Sequence, residues 1–424
     1  MCRTSIAHAS TWRRFAAPSP WATVLVIGLL LSGCSSPTPP AGTTPRANAP
    51  ATEPEGATVE APAPVDPAPC ALPSTPVLGV VLPLSGPMAA RGNTMVRGIQ
   101  LAADQVARFA FIGPDTTLEL RIEDGAGDPA AAGDAVSTLL DAGVSAIVGP
   151  IDGRSLLAAL PRASAAGVPV LVPSAAPTGG LERDDGVFHV APFEAAIARA
   201  AVAAVAPSVE QGLVRLITVG DTPQAREAAQ AMRTAAAEAG LRIDVEDEAK
   251  SPEALTEVMA RLRAEPPALL LLADSPADHD MLLGALRRDA PAATTLVGGD
   301  AFNTGQPAPG DGDGVITADL WHRSSARPEN DYFIADWREA YDTEPGADAV
   351  RAYSAVVLAA HAMRLVCSVE PQEVRFGFDA IRDAATPLGP WTFGPDGGPS
   401  QTPGALVWRT GERLPYTAPA TAAP

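Results

Sequence analysis

Five histidines and four cysteines are all that 424 residues offer for metal, haem or thiol chemistry. Their spacing builds no ligand set. His8, His189, His279, His322 and His361 stand isolated in the sequence, and no His-Glu-x-x-His or Gly-x-Ser-x-Gly occurs. Each histidine therefore reads as a satisfied or solvated side chain. Two stretches begin like ligand cradles and then depart. Gly125-Ala126-Gly127 invites a dinucleotide turn, but the third glycine position holds Ala130, and Pro129 suits a helix start instead. Asp311-Gly312-Asp313-Gly314 opens like a calcium loop, yet Val315 stands at position five and His322 at position twelve. A polar turn before a strand is the better reading. The expectation is a protein that is not an enzyme, with no cofactor and no metal.

Charge and cysteine placement point to a compartment. The formal net charge is −19, which argues against nucleic acid as a partner, since a basic face is needed to replace counterions on phosphate. Residues 1–33 hold three arginines (Arg3, Arg13, Arg14), no acid, and an apolar run over 21–31. That is the layout of a secretory signal, and the run is shorter than the ~20 residues of a permanent membrane span. Leu31-Ser32-Gly33-Cys34 resembles a bacterial lipobox, which would make Cys34 the lipidated first residue of the mature chain. The competing reading is an ordinary signal that happens to end in cysteine. Loss of the three arginines leaves a mature charge of −22, so attachment to the bilayer would come from lipid rather than from charge. Residues 34–76 form the next segment, and 35–76 contain 12 prolines in 42 residues with no aromatic. Such a segment buries too little surface to offset its ordering entropy, and is expected to be an extended tether.

From residue 77 the pattern alternates strand and helix. Val77 to Leu82 is almost continuously apolar, as in a strand covered on both faces. Met95, Ile99, Ala102, Ala103 and Val106 follow at helical spacing. Strands are expected over 118–122, 146–150 and 168–173, with a helix opened by Asp128 and Pro129 and another over 155–165. After 192 the pattern restarts, with strands over 213–218, 241–245, 268–272, 295–299 and 314–317. Helices are expected over 195–205, 224–239, 253–263, 282–288, 348–366 and around 378–384, before a β-like tail. The alternation predicts an α/β fold of two doubly wound parallel-sheet lobes joined by a hinge. Ligands bind outside the carboxyl ends of such strands, so facing lobes would share one interlobe cleft.

These residues also carry a family resemblance. Val80-Val81-Leu82-Pro83-Leu84-Ser85-Gly86, Gly98-Ile99-Gln100-Leu101-Ala102, Ile122-Glu123-Asp124 and the strand ending Val148-Gly149-Pro150 are four pieces of it. Val187-Phe188-His189-Val190-Ala191-Pro192 and the segment from Leu388 to Gly397 are two more. In this order they resemble a type I periplasmic substrate-binding protein of the leucine/isoleucine/valine-binding kind. The resemblance implies lobe 1 at 77–192 plus about 320–370, lobe 2 at 193–319 plus about 371–416, and a flexible tail at 417–424. Hinges are expected near Pro192, near 305–314 or just after, and at 367–373.

The resemblance also implies a function. The chain would be an exported, lipid-anchored solute-binding lipoprotein of an ABC transporter, in the periplasm or on the outer face of a membrane. It would bind a small polar, amino-acid-like ligand and dock on a membrane permease, with Cys34 holding it to the bilayer. The opening-strand turn brings Ser85 to the cleft. In amino-acid-binding members the turn after the Val-Gly strand meets the ligand carboxylate, which maps to Asp152, Gly153, Arg154 and Ser155. The next loop maps to Ser174, Ala175 and Ala176, and the acid for the ligand ammonium maps to Asp300. The expected tyrosine is absent, with Asp221-Thr222-Pro223-Gln224 in its place. The alternative is an outer-membrane lipoprotein of the same fold that binds and regulates a cell-wall synthase.

Three residue-level questions remain open at this stage. Arg154 could clamp a carboxylate in a bidentate pair, or be neutralised by Asp152 on a solvated helix start. Trp321, Trp337, Trp391 and Trp408 are cleft candidates against a default of core packing. With Cys2 removed and Cys34 lipidated, Cys70 and Cys367 would either pair in an oxidising compartment or remain separate thiols.

Overall fold

The computed structural model describes residues 70, 72 and 75–418, apart from 115, 178–179, 181–182, 210–211, 290–292 and 305–309. The expected signal segment, Cys34 and most of the tether lie outside the described residues.

Strand β1 (Val77–Leu82) is buried at every position after the first. It belongs to a five-stranded parallel sheet ordered β2-β1-β3-β4-β5, with β2 (Glu119–Asp124), β3 (Ala146–Val148), β4 (Val170–Val172) and β5 (Val187–His189). Crossover helices α1 (Ala89–Arg108), α2 (Pro129–Asp141) and α3 (Gly153–Ala165) connect the first strands. Asp128 caps α2 by accepting from the Ala130 and Ala131 amides, with Pro129 at the first turn. Gly149 after β3 has φ +88°, and a Cβ there would lie 2.1 Å from the Val81 carbonyl oxygen. Only glycine fits so near β1.

The chain crosses to a second lobe after β5. Helix α4 (Glu194–Val205) leads to β6 (Val214–Val219), α5 (Pro223–Glu238), β7 (Val245–Ala249), α6 (Pro252–Ala264), β8 (Leu269–Ala273), α7 (His279–Asp289), β9 (Thr295–Gly298) and β10 (Val315–Asp319). These five strands pair in parallel in the order β10-β9-β8-β6-β7. After β10 the chain returns to the first lobe, where Leu320 and Trp321 join its core. Helices α8 (Pro328–Tyr341), α9 (Ala347–Val366) and α10 (Pro371–Ala380) follow. Strand β11 (Gly404–Arg409) then pairs antiparallel with β10, and β12 (Glu412–Pro415) antiparallel with β11, extending the second sheet.

Helix α9 is long and apolar enough to cross a membrane, but 72% of its most apolar stretch is buried. It is a core helix, packed between α1 and α10. A Cβ on Gly98 of α1 would meet the Ala349 carbonyl oxygen at 2.3 Å, so the two backbones touch. Cys70 and Cys367, just past α9, form a disulfide with Cα atoms 5.5 Å apart.

Three expectations need correction. The third crossing is not at 367–373, and residues 371–393 stay with the first lobe. Phe378 on α10 stacks on Phe188 of β5 and on Phe393, and all three are buried in the first core. That aromatic cluster holds the chain until residues 394–403, which lead to β11. The helix expected around 378–384 is instead α10, which stops at Ala380, and Ala384 pairs with Trp391 in an isolated bridge. The strand expected at 241–245 begins only at Val245. Leu241 and Ile243 pack on the second core from a loop, and the acidic Val-Glu-Asp-Glu-Ala forms the edge strand.

Candidate functional site

The lobes enclose a cavity of about 10 Å³, room for roughly one water. The first lobe contributes Arg91 of α1 and the Ser174-Ala175 loop beyond β4. The second contributes Glu194 at the start of α4, Gln224 and Glu227 on α5, and Asp274, Pro276, Asp300 and Ala301 beyond β8 and β9. Several of these follow the carboxyl ends of strands, where the topology leaves an opening. A hollow of about 400 Å³ beside it shares Arg91 and Pro276 with the cavity.

Asp300 sits in a 3-10 turn, Asp300–Asn303, directly after β9. The turn is held by Trp408, which donates to the Phe302 carbonyl at 2.7 Å, and by Asn303, which donates to the Ala318 carbonyl at 2.9 Å. The Asp300 carboxylate is taken by Arg351 of α9, Nη2 to Oδ1 at 2.8 Å and Nη1 to Oδ2 at 3.2 Å. Arg351 also reaches Asp319 Oδ1 at 3.1 Å, while Arg413 of β12 donates to Asp319 Oδ2 at 2.8 Å. Arg351 is 1% exposed and belongs to the opposite lobe. A buried ion-pair network thus ties the lobes together beside the second crossing. Burial works to raise the Asp300 pKa, but Arg351, with Arg91 and Asn303 adding to it, holds the carboxyl below its ordinary value.

The other acids are differently placed. Glu194 receives the Asp300 amide on both oxygens at 3.2 Å. Burial, with the Asp300 charge added, pushes its pKa well up. Burial pushes Glu227 up to about 7. Asp274 pairs through Oδ2 with His279 Nδ1 at 2.6 Å, and burial raises it despite that partner. Asp274 Oδ1 and Glu227 Oε2 are buried with no hydrogen-bond partner among the described residues. Across the cavity, Arg91 Nε donates to Asp348 Oδ1 at 3.0 Å, while its Nη1 and Nη2 are likewise buried and unpartnered.

Of the residues expected at the site, Ser174, Ala175 and Asp300 line the cavity; the rest do not. Ser85 is exposed, and its amide and that of Leu84 donate to Asp124 Oδ1, which shapes the turn after β1. Asp152 caps α3 by accepting from the Ser155 amide at 2.9 Å. The start of α3 is also covered: a Cβ on Gly153 would lie 2.9 Å from Pro177 and 3.6 Å from Pro223. Gln224 Nε2 donates across the cleft to the Ile151 carbonyl at 3.4 Å. The helix start expected to take a ligand carboxylate is therefore occupied by the protein's own acid and sealed. Arg154 is an exposed side chain with no ion-pair partner among the described residues, and it is not in the cavity wall. Ser155 Oγ is buried without a partner and Ala176 donates its amide to Ser174 Oγ at 3.4 Å. Ser174 Oγ itself donates to the Ile151 carbonyl at 2.9 Å.

Asp300 lines the cavity as expected, but its carboxylate is engaged by Arg351. Sequence reading missed Arg91, Glu194, Glu227, Asp274 and Arg351. Two had a readable signal: Glu194 follows the Pro192-Phe193 crossing at once, and Arg351 is set between Val350 and Ala352 in a largely apolar helix. The four tryptophans are buried in the cores. His189, buried beneath the Ser174 loop, donates Nδ1–H to the Ser174 carbonyl at 3.2 Å, and burial lowers its pKa to about 4. It is a neutral structural group.

The sequence profile described as "Periplasmic binding protein" matches residues 75–409. Among solved structures, the branched-chain amino acid substrate-binding protein LivJ of Streptococcus pneumoniae, in complex with isoleucine, is 20% identical. It aligns over 80% of this chain and 98% of its own, with a TM-score of 0.70. The leucine-binding protein LivK of Thermotoga maritima is 16% identical over 81% and 98%, with a TM-score of 0.68. A solute-binding protein of an R. palustris ABC transporter, in complex with benzoate, is 18% identical over 82% and 98%, with a TM-score of 0.68. No curated protein sequence matches the chain significantly.

Proposed function

Because the chain belongs to the periplasmic binding protein family, we propose that it is an extracytoplasmic solute-binding protein. It closes two lobes over a small polar, amino-acid-like ligand, leaves it chemically unchanged, and presents it to the permease of an ABC transporter. The cavity carries this reading. Both lobes build its wall, and that wall keeps Arg91 Nη1 and Nη2 and Asp274 Oδ1 buried without partners among the described residues. Polar groups in that state cost free energy until something satisfies them. At about 10 Å³ the cavity admits a ligand only when the lobes part about the crossings at 190–193, 320–327 and 394–403.

The lipobox-like Leu31-Ser32-Gly33-Cys34 supports attachment to the cell envelope through an acylated Cys34. Replacement Cys34→Ser should move the protein from the membrane fraction to the soluble one. The decisive experiment is native mass spectrometry of the purified protein together with a metabolite-library thermal shift. One small molecule raising the melting temperature by several degrees is the expected result. A second reading, a same-fold lipoprotein that docks on a cell-wall synthase, is favoured by the sealed α3 start and the buried interlobe network. Capture of a synthase from membranes, with no small-molecule response, would select it.

A further inference from the structure

Three carboxyl groups from three separate elements face one small cavity: Glu194 on α4, Glu227 on α5 and Asp274 beyond β8. Arg351, the first-lobe cation that enters the second lobe's network, is committed to Asp300 and Asp319. The Asp274 side chain is fully buried, and only Oδ2 is engaged, by His279. Glu227 Oε2 has no partner among the described residues, and the carboxylate of Glu194 holds only the Asp300 amide. On the opposite wall, the Arg91 side chain is 9% exposed, and its Nη1 and Nη2 are buried with no partner among the described residues.

A neutral amino acid brings one ammonium and one carboxylate. Its carboxylate would suit the Arg91 fork, but one ammonium cannot serve three carboxyl groups on the other wall. A simple diamine has the opposite fault, since it leaves Arg91 unsatisfied. A ligand with one carboxylate and two basic nitrogens answers both walls. We propose that the cleft is built for a dibasic amino acid, its carboxylate on Arg91 and its two basic nitrogens shared among Glu194, Glu227 and Asp274. This rests on the reading of the cleft as a solute site and names the class of solute.

The test is calorimetry on the folded protein with lysine, ornithine and arginine, against isoleucine, benzoate and cadaverine. At least one dibasic amino acid should bind about 100-fold or more tighter than isoleucine, because buried acids left unpaired reject the analogue lacking the second nitrogen. Glu227→Gln and Asp274→Asn should each weaken that ligand about tenfold or more. Near-UV circular dichroism should show both variants folded. Arg91→Met should weaken the dibasic amino acid while leaving cadaverine unchanged. Tighter binding of isoleucine or benzoate than of every dibasic compound overturns the assignment and leaves the solute-binding reading standing. No binding of any of the six by folded protein overturns both. Equal loss of lysine and cadaverine in Arg91→Met removes Arg91 as the carboxylate partner and with it the proposal.

Discussion

Arg351→Met tests whether the lobes are joined by charge. Arg351 is 1% exposed on α9 and holds Asp300 and Asp319 of the other lobe. Methionine occupies similar length without a charge. Asp319 would keep Arg413 at 2.8 Å, but Asp300 would keep only Asn303 Nδ2 at 3.4 Å. Removing one partner of a buried pair and stranding the other costs about 3–5 kcal/mol. The pH dependence gives the sharper signature. In the wild-type protein Arg351 holds the Asp300 carboxyl below its ordinary value, against the opposing effect of burial. Its stabilisation is therefore present above the unfolded pKa of about 3.9 and is lost as pH falls through the lower folded value. In the variant, burial is opposed only by the smaller effects of Arg91 and Asn303 and raises the carboxyl. A raised acid destabilises the fold above its folded pKa and ceases to do so once protonated. The gap between variant and wild type should be widest near pH 7.5 and should narrow toward pH 5 in urea unfolding. Asp300→Asn in the Arg351→Met background should recover much of the loss at pH 7.5. A penalty under about 1 kcal/mol, or one that stays constant with pH, would refute a desolvated bridge.

Other consequences can be checked separately. Glu194 is raised by burial and by facing Asp300, Glu227 and Asp274, and Glu227 is raised to about 7 by burial. Arg91 of α1 is the cation on the facing wall, and Arg351 is engaged by Asp300. Acids raised in the folded state make it more stable as pH falls through their folded values, so the melting temperature should rise from pH 8 to pH 6. Glu227→Gln should flatten that rise, and an unchanged slope would exclude Glu227 as its source. Cys367→Ser opens a bridge of sequence separation 297. The chain-entropy model gives an upper loss of about 5.7 kcal/mol for that loop, and peptide mapping without reductant should recover Cys70 and Cys367 cross-linked in the wild type. Gly98→Val drives a side chain into the Ala349 carbonyl and should cost at least about 1–3 kcal/mol by denaturant unfolding, whereas an untouched midpoint would mean that α1 and α9 are less tightly joined.

The fold was legible wherever burial on both faces forces an apolar run. β1 and β8 are buried almost throughout and read at once as strands. Helix starts with a side-chain cap and proline, as at Asp128-Pro129, were equally clear. The edge strand β7 was not, because Glu246 and Glu248 face solvent and acids are poor strand formers. The extent of the first lobe was missed for a different reason. Residues 371–393 have no strand to declare their sheet, and only the stacking of Phe378 and Phe393 on Phe188 assigns them. Sequence distance hides such a cluster.

The site shows the harder limit. Asp300 follows β9 as a ligand-binding acid would, and nothing within its own segment distinguishes that role from a structural one. The distinction is made 51 residues later by Arg351, on a helix of the other lobe. A buried guanidinium needs carboxylates around it, so once α9 carries Arg351 into the interface, Asp300 and Asp319 are drawn into pairing with it. Charge for a guest must then come from acids with no such cation, and Glu194, Glu227 and Asp274 are the acids left in the cavity wall. Burial raises Glu194 and Glu227 with no cation paired to either, and it raises Asp274 even with His279 beside it. A single arginine in an apolar helix thus decides which acids hold the lobes together and which remain for ligand. If that division is right, Arg351→Met should loosen the fold while Glu227→Gln should not. Ligand affinity should fall in Glu227→Gln even though the fold is not loosened.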